Sequence, residues 1–550
     1  MQYSIKALLQ SVKSLSNKYD EVSQAMLGRN MLQLSRLNRS NANSLAIYHE
    51  ILLFICAYPG SSTTVSLAKK ELNRIAMLLR KTSSLKGRLP ENEGLPYQET
   101  ITRFTPDFLT WLFQHEELEV TFDSFYKPVI DLNQFLAITL PAVLRGETTA
   151  GLGNMALLSS LGIKEKQIPE FLVNQLESLQ DKPLVRDSLF EQLDMYVSLK
   201  PLNRYFSRAY NRIPVKETYF HNSLLKQFNM MELIETGLPE PSMTGLQDKQ
   251  ACLKVIRNSM ALGARETDPV TYMDERSFRY YELDRGISIA IYGMIPGRQL
   301  PLESYVGFSL FKNGFPCSYG GAWVFGNRAR FGMNIYEPYR GGESGYVMCQ
   351  LLRVYRQVFS ITCFEVEPYQ YGLDNPDGIR SGAFWFYYRY GFRPANSSLR
   401  KLAEAEKLKI NKRNNYRSSE QTLLKFTASN LELLLDGRKA VQVTDIIGKI
   451  KAMLTAKNSS NMAVTVFEAV KQFIKQVDMA EPESTEEKQV LSEMALWAKA
   501  MNITGREKLQ VLFSCIHAKI NDVYLYQHLI RSLYENNSLD PVSKLSGLRV

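Results

Sequence analysis

The stretch YEPYRGGESGYVMCQLLRVYRQ, at residues 336–357, decides how this chain of 550 residues is expected to fold. It follows the run RARFGMNI, which alternates as a strand does, and its second half repeats apolar residues at helical spacing. Arg340 and three glycines, Gly341, Gly342 and Gly345, lie between strand and helix. Glycine permits turn conformations and close approach of a ligand to the backbone. Because a helix start also exposes unpaired N–H groups and partial positive charge, the junction is expected to bind a phosphate-bearing ligand, and an ordinary surface turn without a ligand is the alternative.

The spacing of apolar residues and the local composition change twice along the chain. Residues 1–242 and 398–550 repeat apolar residues at intervals of three and four, which predicts mainly helical regions. Residues 270–396 are richer in aromatic and β-branched residues, alternate in polarity, and contain glycine turns. A chain of this length is expected to form about three domains. We therefore predict an α+β fold, with a mixed β-sheet in the middle segment and helical regions on either side.

Three local signals refine the middle segment. The dipeptide Asn313-Gly314 predicts a hairpin turn. Helical patterns cover residues 344–357 and 378–390, and the apolar run VFSITCFEV lies between them. The predicted order is therefore strands, helix, strand, helix, strand.

The junction resembles the acyl-coenzyme-A-binding segment of the GNAT acyltransferase superfamily. That segment reads as a strand, then V-x-P-x-[YF]-R-G-x-G-[IL]-[GA], then a helix with leucines. The pattern positions are matched here by Ile335, Tyr339, Arg340, Gly341 and Gly345. The resemblance covers about residues 305–394.

The resemblance implies a GNAT-like mixed sheet in which two parallel strands, ending near Ile335 and Glu365, splay apart. It also implies that acyl-CoA is held by the junction, through Ile335, Arg340, Gly341, Gly342, Ser344 and Gly345. Two positions differ from the pattern, since the proline falls one residue late, at Pro338, and Glu343 replaces a usual glycine. The two helices that normally precede the second strand are hard to find between residues 286 and 304.

The segment GIRSGAFWFYYRYGFRP, at residues 378–394, resembles a later helix and strand of the same superfamily. Its form there is an aromatic residue, a tyrosine, three variable residues and Gly-Phe, which Phe386, Tyr387, Gly391 and Phe392 match. In that family the tyrosine often protonates the leaving thiolate, which implies Tyr387 as the general acid here. Its neighbours Tyr388 and Tyr390 are the alternatives if the register differs, and core packing is the alternative for each ring.

The implied reaction is attack of an amine on a thioester. Backbone N–H groups beside the splayed strand would stabilise the oxyanion. The amine must first lose a proton, which Glu337, Glu365 or Glu367 could take directly or through water. A solvated or ion-paired role is the alternative for each glutamate.

Composition narrows the classes of function. The net charge of +10 is modest for this length, and Glu404 and Glu406 interrupt the basic run at residues 400–417, which disfavours nucleic acid as a partner. Six cysteines without CxxC spacing indicate reduced, buried thiols. Paired cysteine and histidine clusters are absent from the sequence, so no metal is expected.

The start of the chain lacks the apolar core of a secretory signal, and the run ILLFICAYP is too short to span a bilayer, so we expect a cytoplasmic protein.

These observations lead to one main functional prediction. The chain is expected to transfer an acyl group from acyl-CoA, or from an acyl carrier protein, to the amine of a small molecule or a protein. One alternative is a catalytically degenerate GNAT-like scaffold that binds a partner. Another is a basic protein that binds nucleic acid or an anionic surface.

Overall fold

The structure is a computed structural model that describes residues 4–36, 42–81, 89–243, 245–413, 415–438, 440–458, 461–478 and 480–534. It is a mixed α+β protein, in which a large mixed sheet lies between regions rich in helix, as predicted.

Helices dominate the part of the chain that precedes the large sheet. Those within the described residues are α1 (Ile5–Leu15), α2 (Glu21–Leu34), α3 (Ala42–Ala57), α4 (Ser62–Lys81), α5 (Pro106–Phe113), α6 (Leu132–Thr139), α7 (Asn154–Ser160), α8 (Ile168–Asn174), α9 (Pro183–Glu191), α10 (Met230–Glu235), α11 (Leu246–Leu262) and α12 (Asp268–Thr271).

A small antiparallel sheet in this region was not predicted. Its strands are β1 (Thr100–Thr102), β2 (Leu118–Phe125) and β3 (Met195–Pro201), in the order β1-β3-β2. The central strand, β3, pairs with strands that lie far away in sequence, since the register joins Thr100 to Leu199 and Leu118 to Pro201. Such pairing depends on tertiary contacts more than on local pattern.

The large sheet contains the remaining strands, β4 (Met273–Glu282), β5 (Ile287–Met294), β6 (Ser304–Lys312), β7 (Phe315–Phe325), β8 (Arg328–Ile335), β9 (Cys363–Val366), β10 (Arg393–Pro394) and β11 (Leu431–Leu434). Their order is β10-β11-β9-β8-β7-β6-β5-β4. The sheet therefore extends beyond the predicted segment 270–396, because β11 returns from the following region and inserts between β9 and β10.

Helices connect and follow these strands. They are α13 (Ser344–Phe359), α14 (Pro376–Ser381), α15 (Ala383–Arg389), α16 (Ser397–Lys412), α17 (Glu420–Phe426), α18 (Val443–Asn458), α19 (Met462–Val477), α20 (Thr485–Ala500), α21 (Arg506–Asn521) and α22 (Val523–Ser532). The helix expected at residues 344–357 is confirmed as α13. The one expected at 378–390 is divided into α14 and α15, because Gly382 adopts a left-handed conformation, with φ of 67°, at the end of α14.

The predicted hairpin turn is confirmed. Asn313 and Gly314 join β6 to β7 with φ values of 47° and 81°, the conformation that Asn-Gly favours. The turn is buried, and the Asn313 side-chain amide donates to the carbonyl oxygen of Ala57 at 2.9 Å. The tip of the hairpin is thus attached to the end of α3.

The parallel pair is also confirmed. Strands β8 and β9 are parallel neighbours with Arg328 opposite Cys363 and Arg330 opposite Glu365, and every other pairing in the large sheet is antiparallel among the described residues. Pairing ends at Arg330 and Glu365, whereas β8 continues to Ile335. Residues 331–335 of β8, which lead into the glycine-rich junction, therefore have no ladder partner on β9, and we call this unpaired stretch the strand gap.

Two apolar cores stabilise the molecule. The larger one joins the N-terminal helices, the small sheet and the large sheet. The smaller one is formed mainly by side chains between Val443 and Leu533, in helices α18 to α22, together with Leu302, which precedes β6, and Phe325 of β7. The prediction of about three domains stays a prediction.

Candidate active site

The junction between β8 and α13 is a short loop with one residue at positive φ. A single 3₁₀ turn, Glu337–Tyr339, follows β8, and α13 begins at Ser344. Gly341 has φ of 97° and open space where a side chain would be. This is the conformation that favours glycine, as the sequence predicted.

The two sides of this loop differ. We call Gly342 and Glu343, which are buried, its inner side, and we call Arg340, Gly341 and Ser344, which are exposed or half-buried, its outer side. The inner side faces the N-terminal helices, whereas the outer side faces solvent. A cofactor from solution would meet the outer side first.

Glu343 anchors the inner side through a buried ion network. Its carboxylate lies 2.8 Å from Lys312 Nζ, 3.0 Å from Arg285 Nε and 3.6 Å from His221 Nε2. It also accepts a hydrogen bond of 2.7 Å from the backbone N–H of Leu225. The side chain that replaces the usual glycine thus points into the protein and away from the outer side.

Charge in this network follows from burial and pairing. Burial alone would raise the pKa of Glu343, but His221, Lys312 and Arg285 together hold it well below its ordinary value. Burial lowers the pKa of Lys312 to about 8, although Glu343 opposes this shift. Burial likewise lowers the pKa of His221. Near neutral pH the network therefore contains one carboxylate, one guanidinium and one ammonium group, beside a neutral imidazole.

Tyr58, which follows α3, packs against the inner side of the loop. A Cβ atom added to Gly342 would lie 2.6 Å from Cζ of the Tyr58 ring, so the close approach requires glycine. The inner side of the loop is thus packed against the chain itself.

The outer side carries charge that is accessible. The Arg340 side chain is 57% exposed and folds back, donating from Nε to the carbonyl oxygen of Ile335 at 3.1 Å. Its Nη2 lies 3.2 Å from Glu337, which also pairs with Arg265 at 3.0 Å. Partial burial would raise the pKa of Glu337, but its own backbone and both guanidinium groups lower it. Glu337 is therefore held ionised beside the loop and is a weak base.

Tyr390, which follows α15, lies at the loop, whereas Tyr387 of α15 lies beside β8. The Tyr390 hydroxyl lies against Gly345, where an added Cβ would collide with it. Tyr387 instead packs 6.3 Å from Phe331, centroid to centroid, and 5.6 Å from Phe392. Phe331 is the first residue of β8 beyond the last pair with β9. Tyr387 therefore lies at the gap, and Tyr390 lies at the loop.

Two properties of Tyr387 bear on proton transfer. It is 3% exposed, and burial raises the pKa of its hydroxyl, so the proton is retained at neutral pH. The neighbouring Tyr388 stacks on Phe384 and lies under the Arg393 guanidinium, 3.8 Å from the ring centroid. Of the two, Tyr387 is the one placed at the gap.

The structure separates Glu365 from the loop. Because β8 is parallel to β9 and pairs with it only through its first three residues, Glu365 lies beside Arg330, with the second half of β8 between it and Ile335. Its carboxylate is buried against Arg328, whose Nε lies at 2.9 Å, and accepts from Gln442 Nε2 at 2.9 Å. Glu337 is thus the predicted carboxylate that lies at the junction.

Sequence reasoning missed the residues that hold the inner side, Tyr58, His221, Arg285 and Lys312. They come from distant segments and lack a motif that would connect them to the loop. A lysine directly before an Asn-Gly turn, at Lys312, is a usual surface residue, and only the tertiary structure buries it.

Comparisons with known proteins found no match to a family model, to a curated protein or to a solved structure. The GNAT resemblance therefore stays a prediction that rests on the motifs. Within the described residues, no helix is both long and apolar enough to cross a membrane, and no group of three or more His, Cys, Asp or Glu side chains is placed to hold a metal ion. The six cysteines are buried and free, as expected.

Proposed function

We propose that the chain transfers an acyl group from acyl-CoA, or from an acyl carrier protein, to an amine. The observation that carries this proposal is the strand gap, the stretch of β8 beyond its last pair with the parallel strand β9, directly before the glycine-rich loop and α13. Backbone N–H groups in the second half of β8 that point toward β9 have no ladder partner on that strand. Such groups are suitable donors for the oxyanion of a thioester under attack.

The cofactor would bind along the outer side of the loop. Arg340 supplies a cation there, and the start of α13 supplies N–H groups and partial positive charge near Ser344. The pantetheine arm would then enter the gap, where the thioester would approach Tyr387. In this arrangement Tyr387 donates a proton to the leaving thiolate, and the incoming amine loses one through water or Glu337.

The best test of cofactor binding uses Ser344. Replacement of Gly345 by aspartate would collide with Tyr390 whether or not a ligand binds, so its effect could not be assigned. Ser344→Asp places a carboxylate at the first position of α13, where negative charge favours the helix but repels a pyrophosphate. We expect calorimetry to show CoA binding to the wild type and at least about tenfold weaker binding to Ser344→Asp.

Ser344→Ala is the matched control, because it removes the hydroxyl without adding charge. Its affinity for CoA should stay within about threefold of the wild type. Equal CoA affinity in the aspartate and alanine variants would place the cofactor elsewhere.

A specific observation favours a second candidate function, a GNAT-like scaffold without catalysis. Tyr58 packs against Gly342, and the Glu343 side chain is buried in its ion network, so the inner side of the loop is already filled. A scaffold of this kind would not bind CoA. If the wild type bound neither CoA nor an acyl carrier protein, the acyltransferase would be rejected and the scaffold would remain.

A further inference from the structure

A second cleft lies at the opposite end of β8, against the C-terminal helices. Its volume is about 330 Å³, near the lower limit of about 300 Å³ for small-molecule sites. Its polar wall consists of Glu303, Arg328 and Arg330. The first turns of α18 form the other wall, with Val443, Ile447 and Gly448 among the lining residues.

The polar wall contains buried atoms without a hydrogen-bond partner. They are Glu303 Oε1, Arg328 Nη1 and Arg330 Nε. Glu303 is 6% exposed and Arg328 is 3% exposed. Buried polar groups are nearly always hydrogen-bonded, so these donors and this acceptor are available to a molecule in the cleft.

The ion pairs around the cleft do not satisfy these atoms. Arg328 Nη1 lies 3.5 Å from Glu303 Oε1, and Arg330 Nη2 lies 3.7 Å from Glu303 Oε2, distances at which attraction persists without a good hydrogen bond. Arg328 and Arg330 also pair with Glu365 and Glu367 at 2.9 and 3.2 Å. Two guanidinium groups thus face three carboxylates.

This balance of charge selects the class of ligand. A simple anion would meet the Glu303 carboxylate, and a simple cation would meet the two guanidinium groups. A molecule that carries both charges can satisfy the free donors and the free acceptor together. The side chains of Val443 and Ile447 add an apolar surface beside them.

We infer that this cleft binds a free α-amino acid with a short aliphatic side chain. The carboxylate would lie against Arg328 and Arg330, and the ammonium group would lie against Glu303. The aliphatic part would contact α18. Since this helix belongs to the C-terminal core, the bound amino acid would connect that region to the large sheet, at a site separate from the glycine-rich loop.

Calorimetry on the full chain with L-valine tests this inference. The two comparison compounds are isobutylamine, which lacks the carboxylate, and isovalerate, which lacks the ammonium group. L-valine should bind saturably, and each comparison compound should bind at least about tenfold more weakly, because each leaves buried charged groups unpaired. Absence of L-valine binding, or equal binding of either compound, would overturn the inference.

Gly448→Leu locates the site without changing any charge. Gly448 lines the cleft within α18, and a Cβ atom there would meet no other atom within 4 Å. Leucine also favours a helix more than glycine does, so the variant should fold. We expect it to lose L-valine binding.

The matched control is Gly28→Leu in α2, where an added Cβ is equally free of contacts. This variant should bind L-valine as the wild type does. Binding that persists in Gly448→Leu, or that is lost equally in both variants, would contradict the proposed cleft.

Discussion

Two glutamates six positions apart in the glycine-rich junction have opposite surroundings. Glu343, on the inner side, is buried among Lys312, Arg285 and His221, whereas Glu337 is 36% exposed and pairs with two arginines at the surface. The difference shows that the junction has a fixed side and an accessible side. In the sequence, an acidic residue at position 343 looks unfavourable for phosphate binding. In the structure, the Glu343 side chain instead attaches the loop to the rest of the protein.

The largest expected effect is on stability. Glu343→Gln should lower the free energy of unfolding by about 3–5 kcal/mol, because it leaves Lys312 and Arg285 without their buried counter-charge. Glu337→Gln should change it by less than about 1 kcal/mol, since its ion pairs are partly exposed. Urea unfolding at pH 7 measures both.

A double variant sharpens this contrast. Glu343→Gln combined with Lys312→Met removes both partners of the closest pair and should be less destabilised than Glu343→Gln alone. Equal losses from Glu343→Gln and Glu337→Gln would show that the two sides of the junction do not differ.

The next effect concerns catalysis at the accessible side and rests on the proposed function. Tyr387→Phe keeps the ring among Phe331 and Phe392 and removes only the proton donor, so turnover should fall by about 10²-fold while CoA affinity stays the same. Tyr390→Phe should instead weaken CoA binding and leave turnover at saturating cofactor nearly unchanged, because its hydroxyl lies at Gly345. Steady-state kinetics with varied acyl-CoA separates the two outcomes.

The reverse result would reassign the roles of these tyrosines. A loss of turnover in Tyr390→Phe, with full activity in Tyr387→Phe, would place the thioester beside the loop and not in the strand gap. Tyr388→Phe, whose ring lies under Arg393, serves as the packing control.

The smallest effect is a dependence on pH. The pKa of Glu343 is lower in the folded chain than its ordinary value of 4.5, so this carboxyl stabilises the fold fully above that value and progressively less as the pH falls. The difference in unfolding free energy between wild type and Glu343→Gln should therefore shrink below pH 4.5, by at most about 1.4 kcal/mol per pH unit. A difference that stays constant down to pH 3 would show that the ionised carboxylate of Glu343 does not stabilise the fold.

The parts of the fold that could be predicted depend on neighbouring residues. The alternation of β8, the helical repeat of α13 and the Asn313-Gly314 turn are each specified within a dozen residues, and the structure contains all three. The parallel pairing of β8 and β9 could be predicted because the GNAT resemblance covered both strands and the helix α13 between them. The glycine requirement at Gly341 could also be predicted, because its positive φ belongs to the turn itself.

The remaining features depend on contacts between distant segments. The small sheet pairs strands that lie far apart in sequence, and β11 enters the large sheet from beyond the predicted segment. The partners of Glu343 include the backbone of Leu225, 118 residues earlier. No local pattern in the sequence could indicate that Glu343 points inward, since its direction is set by groups that only the folded chain brings together.

The attachment of the Asn313-Gly314 hairpin to α3 also affects how the protein is made. Asn313 bonds to Ala57, which precedes it by 256 residues. At a synthesis rate of about 5–20 residues per second, α3 leaves the ribosome roughly 13–50 s before its partner strand exists. During that interval the apolar side chains of α3 and the ring of Tyr58 lack the surface that later covers them. We therefore expect α3 to need protection from aggregation during translation, and slower synthesis between residues 57 and 313 should increase aggregation of the nascent protein.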